Sequence, residues 1–170
     1  MTAHGAHVLG IDPGLAKVGW GVIEVLPRGF RYVACGCIKT SRELAHAERL
    51  LAVFVGVQRV VQEYSPQAVA VEEVFQGKNP RSAFLAGEGR SACILAAALG
   101  GLRVVEFPAT VVKLAVTGNG RAGKHQVQAM VQRLLELPDL PRPHDAADAL
   151  ALALTFGQRD RSRAAVRRPG

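Results

Sequence analysis

Cysteine is scarce: Cys35, Cys37 and Cys93 are the three thiols in a chain of 170 residues. An odd count, with one Cys-x-Cys pair and no second cluster, excludes a disulfide framework and fits poorly to zinc, so three buried thiols in a reducing compartment are expected. Aromatics make up 5% of the chain, which leaves the core to Ala, Val and Leu. No run approaches the roughly 18 apolar residues of a membrane span, and the N-terminus lacks the charged and apolar halves of a secretory signal. A cytoplasmic protein with no membrane partner is expected. Acid is in deficit, with 14 Asp and Glu against 21 Lys and Arg and a formal charge of +7. Residues 159–170 carry five Arg and one Asp, leaving 16 basic and 13 acidic residues in the body. That end reads as a basic, disordered tail on a single domain of residues 1–158.

What the chain does have is an acid at the end of an apolar strand. Val8, Leu9 and Ile11 read as a buried strand, and Asp12 follows them directly before a Pro-Gly turn. An ionised carboxylate beside a core strand is destabilised by desolvation unless it meets a cation, a donor or a metal. Capping the turn with its own side chain is the simpler use of Asp12. Other acids converging on it would favour the first reading.

Taken in order, residues 19–26 and 30–40 read as two further strands of an antiparallel meander. A helix follows over 43–64, with Ala47, Leu50, Leu51, Phe54, Val57, Val61 and Tyr64 on its apolar face. A short strand over 68–71 ends in Glu72-Glu73, and residues 74–78 form a loop. Asn79-Pro80 opens a helix to Leu99. A strand over 103–107 and helices over 109–116, 124–137 and 144–158 complete one α/β domain with a mixed sheet.

Four acids stand at element ends: Asp12, Glu72, and Asp145 with Asp148 in the first turn of the last helix. The i, i+3 spacing puts the last two on one helix face, although acids at a helix N-terminus also complement its dipole. Strand alternation turns either Glu72 or Glu73 inward, and the pattern favours Glu72, leaving Glu73 as a supporting acid. Oxygen donors without thiolates or paired imidazoles suit Mg²⁺ or Mn²⁺. Two such ions about 3.5–4 Å apart serve phosphoryl chemistry. A basic surface around an acidic pocket suits a polyanion that is held and then attacked.

Ile11-Asp12-Pro13-Gly14 with Gly19-Trp20-Gly21, Val71-Glu72-Glu73-Val74-Phe75, and Asp145-Ala146-Ala147-Asp148-Ala149-Leu150-Ala151 resemble the three acidic motifs of the RuvC family of Holliday-junction resolvases. The likeness covers about residues 8–156. It implies a ribonuclease-H-like mixed five-stranded sheet flanked by helices, and a homodimer acting on four-way junction DNA beside a branch-migration motor. It also implies paired symmetric nicks in recombination and repair, dependent on two Mg²⁺ or Mn²⁺ ions per site. By the same resemblance Asp12, Glu72, Asp145 and Asp148 are catalytic and metal-binding acids. Phe75 stacks on a base, and Lys78, Arg90, Lys113 and Lys124 contact DNA. His144, next to Asp145, stands beside the fourth ligand position as a supporting group.

Three other readings compete. Residues 118–124 match the first seven positions of a phosphate-binding P-loop, but His125 replaces its hydroxyl residue. A YqgF-like member of the same fold, or a nucleic-acid-binding domain that does not cut, would share much of the pattern. The presence of all four acids argues against lost chemistry.

Overall fold

The structure, a computed structural model, describes residues 5–73 and 79–166. Five strands, β1 (Ala6–Asp12), β2 (Lys17–Val25), β3 (Phe30–Lys39), β4 (Ala68–Glu72) and β5 (Arg103–Phe107), form one sheet in the order β3-β2-β1-β4-β5. β1 runs antiparallel to β2 and parallel to β4, so it joins the meander to the crossover half of the sheet. Helices α1 (His46–Tyr64) and α2 (Pro80–Leu99) cover one face. The other carries α3 (Ala109–Thr117), α4 (Lys124–Leu134) and α5 (His144–Val166). This is the mixed ribonuclease-H-like architecture expected from the motifs.

Period-two alternation sorts the sheet into two cores. Leu9, Ile11, Val22, Val69 and Val71 pack under α1 and α2, whereas Val8, Ile23, Ala68 and Ala70 pack under α5. Asp12 shares the parity of Val8, and Glu72 that of Ala68 and Ala70. Both carboxylates therefore emerge on the α5 face, at the ends of adjacent parallel strands.

Glycines set how closely α5 approaches. A Cβ on Gly10 would lie 1.8 Å from the Ala149 carbonyl oxygen, and one on Gly19 would lie 2.1 Å from that of Asp145. Gly21 pairs with Gly10 across the strands and sits under Leu150. Across the sheet, α2 rests on the Pro13–Gly14 turn through Gly89. By length and composition α2 could cross a membrane. Arg81, Glu88 and Arg90 interrupt it, and Gly89, Cys93, Ala96 and Ala97 are buried against the sheet and α1 while Phe84, Leu95 and Leu99 are exposed. Asn79 caps it as expected, accepting hydrogen bonds from the backbone N–H groups of Arg81 and Ser82.

Several sequence expectations need correction. Only Cys93 of the three thiols is buried, because β3 is the sheet edge and leaves Cys35 and Cys37 half-exposed. In α1 the buried residues are Val53, Val57 and Val60, while Leu51 is 60% exposed. The apolar positions split between a core-facing stripe and a second stripe directed along α2. α4 stops at Leu134, and Gln132 donates to the carbonyls of Leu137 and Pro138 in the following turn.

The last helix does not end at residue 158 but continues through Val166, across much of the stretch expected to be disordered. Arg159 lies over the Phe107 ring and Arg161 over Phe30, while Asp160 pairs with Arg103. Cation–π contacts and an ion pair hold a segment whose composition alone suggested a solvated tail.

Candidate active site

Asp12, Glu72 and Asp148 line one cavity of about 270 Å³, together with Lys113 and Lys124 and an apolar floor that includes Val112, Val127 and Leu152. Three elements deliver the acids. β1 and β4 present Asp12 and Glu72 at their ends, and α5 brings Asp148 over them because the glycine floor lets the helix lie directly on the strands. α3 and α4 supply the two lysines from the far wall.

The electrostatics follow from this crowding. Burial, then the neighbouring charges of Glu72, Asp148 and Asp145, push the Asp12 carboxyl up to about 8. Glu72 is raised by burial and then by Asp148. Asp148 is raised by burial, with Asp145 adding to the shift and Lys124 opposing it. Like charges gathered in a half-buried space hold protons that isolated carboxylates would lose.

Asp145 takes a different position. It forms an ion pair with Lys17 of β2 and lines a second cavity beside the first, with His144 and His125. Among the described residues no group of three or more His, Cys, Asp or Glu side chains is arranged so that it could hold a metal ion. The donor set nevertheless suits hard divalent cations: all oxygen, under-compensated, and drawn from separate elements. Asp12, Glu72 and Asp148 are the residues that would hold such ions, while Asp145 is paired with Lys17 beside them.

The remaining candidates are dispersed. Glu73 is exposed, and its backbone N–H donates to the Phe107 carbonyl at 3.0 Å. Arg90, expected at the DNA, makes two contacts within the protein. Its Nε donates to the Glu72 carbonyl at 3.1 Å and its guanidinium pairs with Glu106. Those two acceptors lie at the parallel ends of β4 and β5, so Arg90 straps the strand that carries Glu72. Phe75 and Lys78 lie outside the described residues.

The P-loop alternative fails on topology. Residues 118–124 follow α3 rather than a strand, with Gly118 as a left-handed helix cap at φ 76° and Asn119 Oδ1 accepting from the Arg121 N–H. Sequence reading missed Lys17, the partner of Asp145. Lys17 was detectable from register: Gly19 pairs with Asp12, so Lys17, two residues earlier, points to the same face.

The sequence model of the family described as "Crossover junction endodeoxyribonuclease RuvC" matches residues 8–156. A relative of that description from Roseiflexus sp. (strain RS-1) is 45% identical over 154 residues, covering 91% of this chain and 90% of the relative. Another, from Pelotomaculum thermopropionicum, is 46% identical over 147 residues, covering 86% and 90%. Among solved structures, T. thermophilus RuvC in complex with Holliday junction substrate superposes with a TM-score of 0.88. It shares 36% identity and covers 93% of this chain and 96% of that one. The yeast mitochondrial Holliday junction resolvase Ydc2 has a TM-score of 0.68 at 10% identity over 96% and 82% of the two chains, a likeness of fold alone. Matched by the family's sequence model over residues 8–156 and by relatives 45–46% identical over most of their length, the chain belongs to the RuvC family.

Proposed function

We propose that this chain is a divalent-metal-dependent endodeoxyribonuclease that resolves four-way DNA junctions by paired symmetric nicks, in recombination and repair. The observation that carries this reading is the convergence of Asp12, Glu72 and Asp148 on one cavity whose far wall holds Lys113 and Lys124. Mg²⁺ or Mn²⁺ bound there, two ions per site, supplies Lewis-acid stabilisation of the phosphoryl group and activates a water.

The protein groups divide the rest of the work. Asp12, Glu72 and Asp148, completed by Asp145, fix the geometry into which the phosphate must fit. Lys124 and Lys113 offset the charge that builds on the phosphate oxygens. The apolar floor of Val112, Val127 and Leu152 keeps bulk water from screening these interactions.

Two symmetric cuts require two equivalent sites, which a twofold homodimer provides. The α1–α2 surface supports this assembly. A groove of about 830 Å³ runs between the helices, lined by Leu50, Leu51, Phe54, Phe84 and Leu95. Exposed apolar surface of this kind is characteristic of an interface. A cytoplasmic setting and a branch-migration motor as partner complete the reading, on the strength of family membership.

The test is to incubate the protein with a synthetic immobile four-way junction and Mg²⁺ or Mn²⁺, and to map the products. Paired nicks at symmetric positions are expected, and Asp12→Asn should bind the junction without cutting it. Failure of the wild type to cut junctions, or undiminished cutting by the variant, would overturn the reading.

A further inference from the structure

The second cavity, about 630 Å³, is lined by Lys17, His125, Gln128, Leu140, Arg142, Pro143, His144 and Asp145. It shares its walls with the acidic cavity. Lys124 faces the acids and the next residue, His125, faces this space; on α5, Asp148 faces the acids and Asp145 faces this space. The two cavities therefore lie side by side along α4 and α5.

The lining chemistry is that of a phosphate site. Arg142 carries a permanent charge on a planar fork of donors, the geometry that best matches phosphate oxygens. The His125 and His144 rings meet edge to face with centroids 6.1 Å apart, one in the first turn of α4 and the other in that of α5. Each offers a ring N–H. Asp145 is the acid in the lining, and its charge is already met by Lys17. Gln128 donates to the Pro141 carbonyl at 2.7 Å and so holds in place the connector that carries Arg142.

We propose that this cavity binds the backbone phosphate next to the one being cut, with Arg142, His125 and His144 as its donors. The subsite fixes the strand's register over the acids while reading no base, because its donors meet phosphate and not base edges. The inference rests on the nuclease reading above.

The experiment measures binding of a labelled four-way junction, in EDTA and over a series of salt concentrations. It compares wild type, Arg142→Ala and the triple variant Arg142→Ala/His125→Ala/His144→Ala. All three side chains are exposed, so the variants should keep the wild-type melting temperature. Arg142→Ala should bind about 3–10-fold more weakly, with a salt slope shallower by about one unit, as for a lost phosphate contact. The triple variant should bind more weakly still, equally across junction sequences. Unchanged affinity, or weaker binding with an unchanged slope for Arg142→Ala, would overturn the subsite while leaving the nuclease reading intact. A wild type that shows no preference for the four-way junction over duplex would remove that reading, and the subsite with it.

Discussion

Lys17, the first residue of β2, forms an ion pair with Asp145 in the first turn of α5, next to the cavity where the other three acids gather. If Asp145 is a metal ligand, as in the function proposed above, the ammonium competes with the ion for that carboxylate. Lys17→Met keeps the length of the side chain and removes the competing charge. Both partners are partly exposed, so the competition is worth on the order of 1 kcal/mol. Mn²⁺ affinity of the variant, measured by calorimetry without DNA, should rise about 3–10-fold. Affinity equal to wild type would mean that Asp145 does not join the cage.

The raised carboxyl of Asp12 makes metal-free stability depend on pH. Its folded value is about 8 against an ordinary 3.8, from burial first and then from Glu72, Asp148 and Asp145. Between those values the folded chain holds a proton that the unfolded chain has released, so stability falls as pH rises from about 4 towards 8. A tenfold difference in proton affinity between the folded and unfolded chains is worth about 1.4 kcal/mol. Solvent reaching the cavity reduces the total to on the order of 2 kcal/mol between pH 5 and 8. Asp12→Asn should therefore melt above wild type at pH 8 in EDTA, with a flatter pH profile. A lower melting temperature for the variant at that pH would refute the assignment.

Close approach of α5 to the sheet makes Gly10 intolerant of a side chain. Gly10→Ala places a methyl group within 1.8 Å of the Ala149 carbonyl oxygen, and the helix must move to admit it. A loss of about 1–3 kcal/mol is expected, about 3–10 °C in melting temperature for a chain of this size. Gly87→Ala is the contrast, because nothing lies within 4 Å of the added Cβ. As a glycine inside α2, it should gain about 0.5–1 kcal/mol on substitution. Equal melting temperatures for the two variants would contradict the packing described.

Arg90 separates positioning from DNA contact. With its donors on the Glu72 carbonyl and on Glu106, Arg90→Gln should loosen the strand end that carries Glu72. Cleavage should slow about tenfold, equivalent to about 1.4 kcal/mol of barrier, while junction affinity stays within about twofold. Loss of affinity in proportion to rate would instead place this guanidinium on the DNA.

Phe84, 66% exposed beside the α1–α2 groove, tests the assembly. Phe84→Glu places a charge where a second copy would pack and should shift the protein to monomer in sedimentation at micromolar concentration. The same variant should uncouple the paired nicks. A variant that remains dimeric would move the interface elsewhere.

Much of this arrangement was legible in the chain because local signals and tertiary packing agree. The apolar run before Asp12 and the parity of Glu72 each depend on a single element's periodicity, whereas the i, i+3 spacing on α5 did not reveal that Asp145 pairs with Lys17 and lines the neighbouring cavity. The start of β2 was less legible. Gly19 and Gly21 dilute the strand signal, so Lys17 fell before the strand that places it beside Asp145. The split apolar faces of α1 were hidden because both stripes are hydrophobic, and which one meets the sheet is decided by packing. For the helix beyond residue 158, the rings of Phe30 and Phe107 come from distant parts of the chain. No window around Arg159 contains them.

The bare floor formed by Gly10, Gly19 and Gly21 also bears on how this enzyme can be redesigned. At Gly10 and Gly19 main chain rests on main chain, and at Gly21 the Leu150 side chain lies directly on the strand, so the separation of the acids is set mainly by backbone thickness. Efforts to change its ion preference by mutation are better aimed at the rim, at Lys17, Lys113 and Lys124, than at the bed on which the last helix lies.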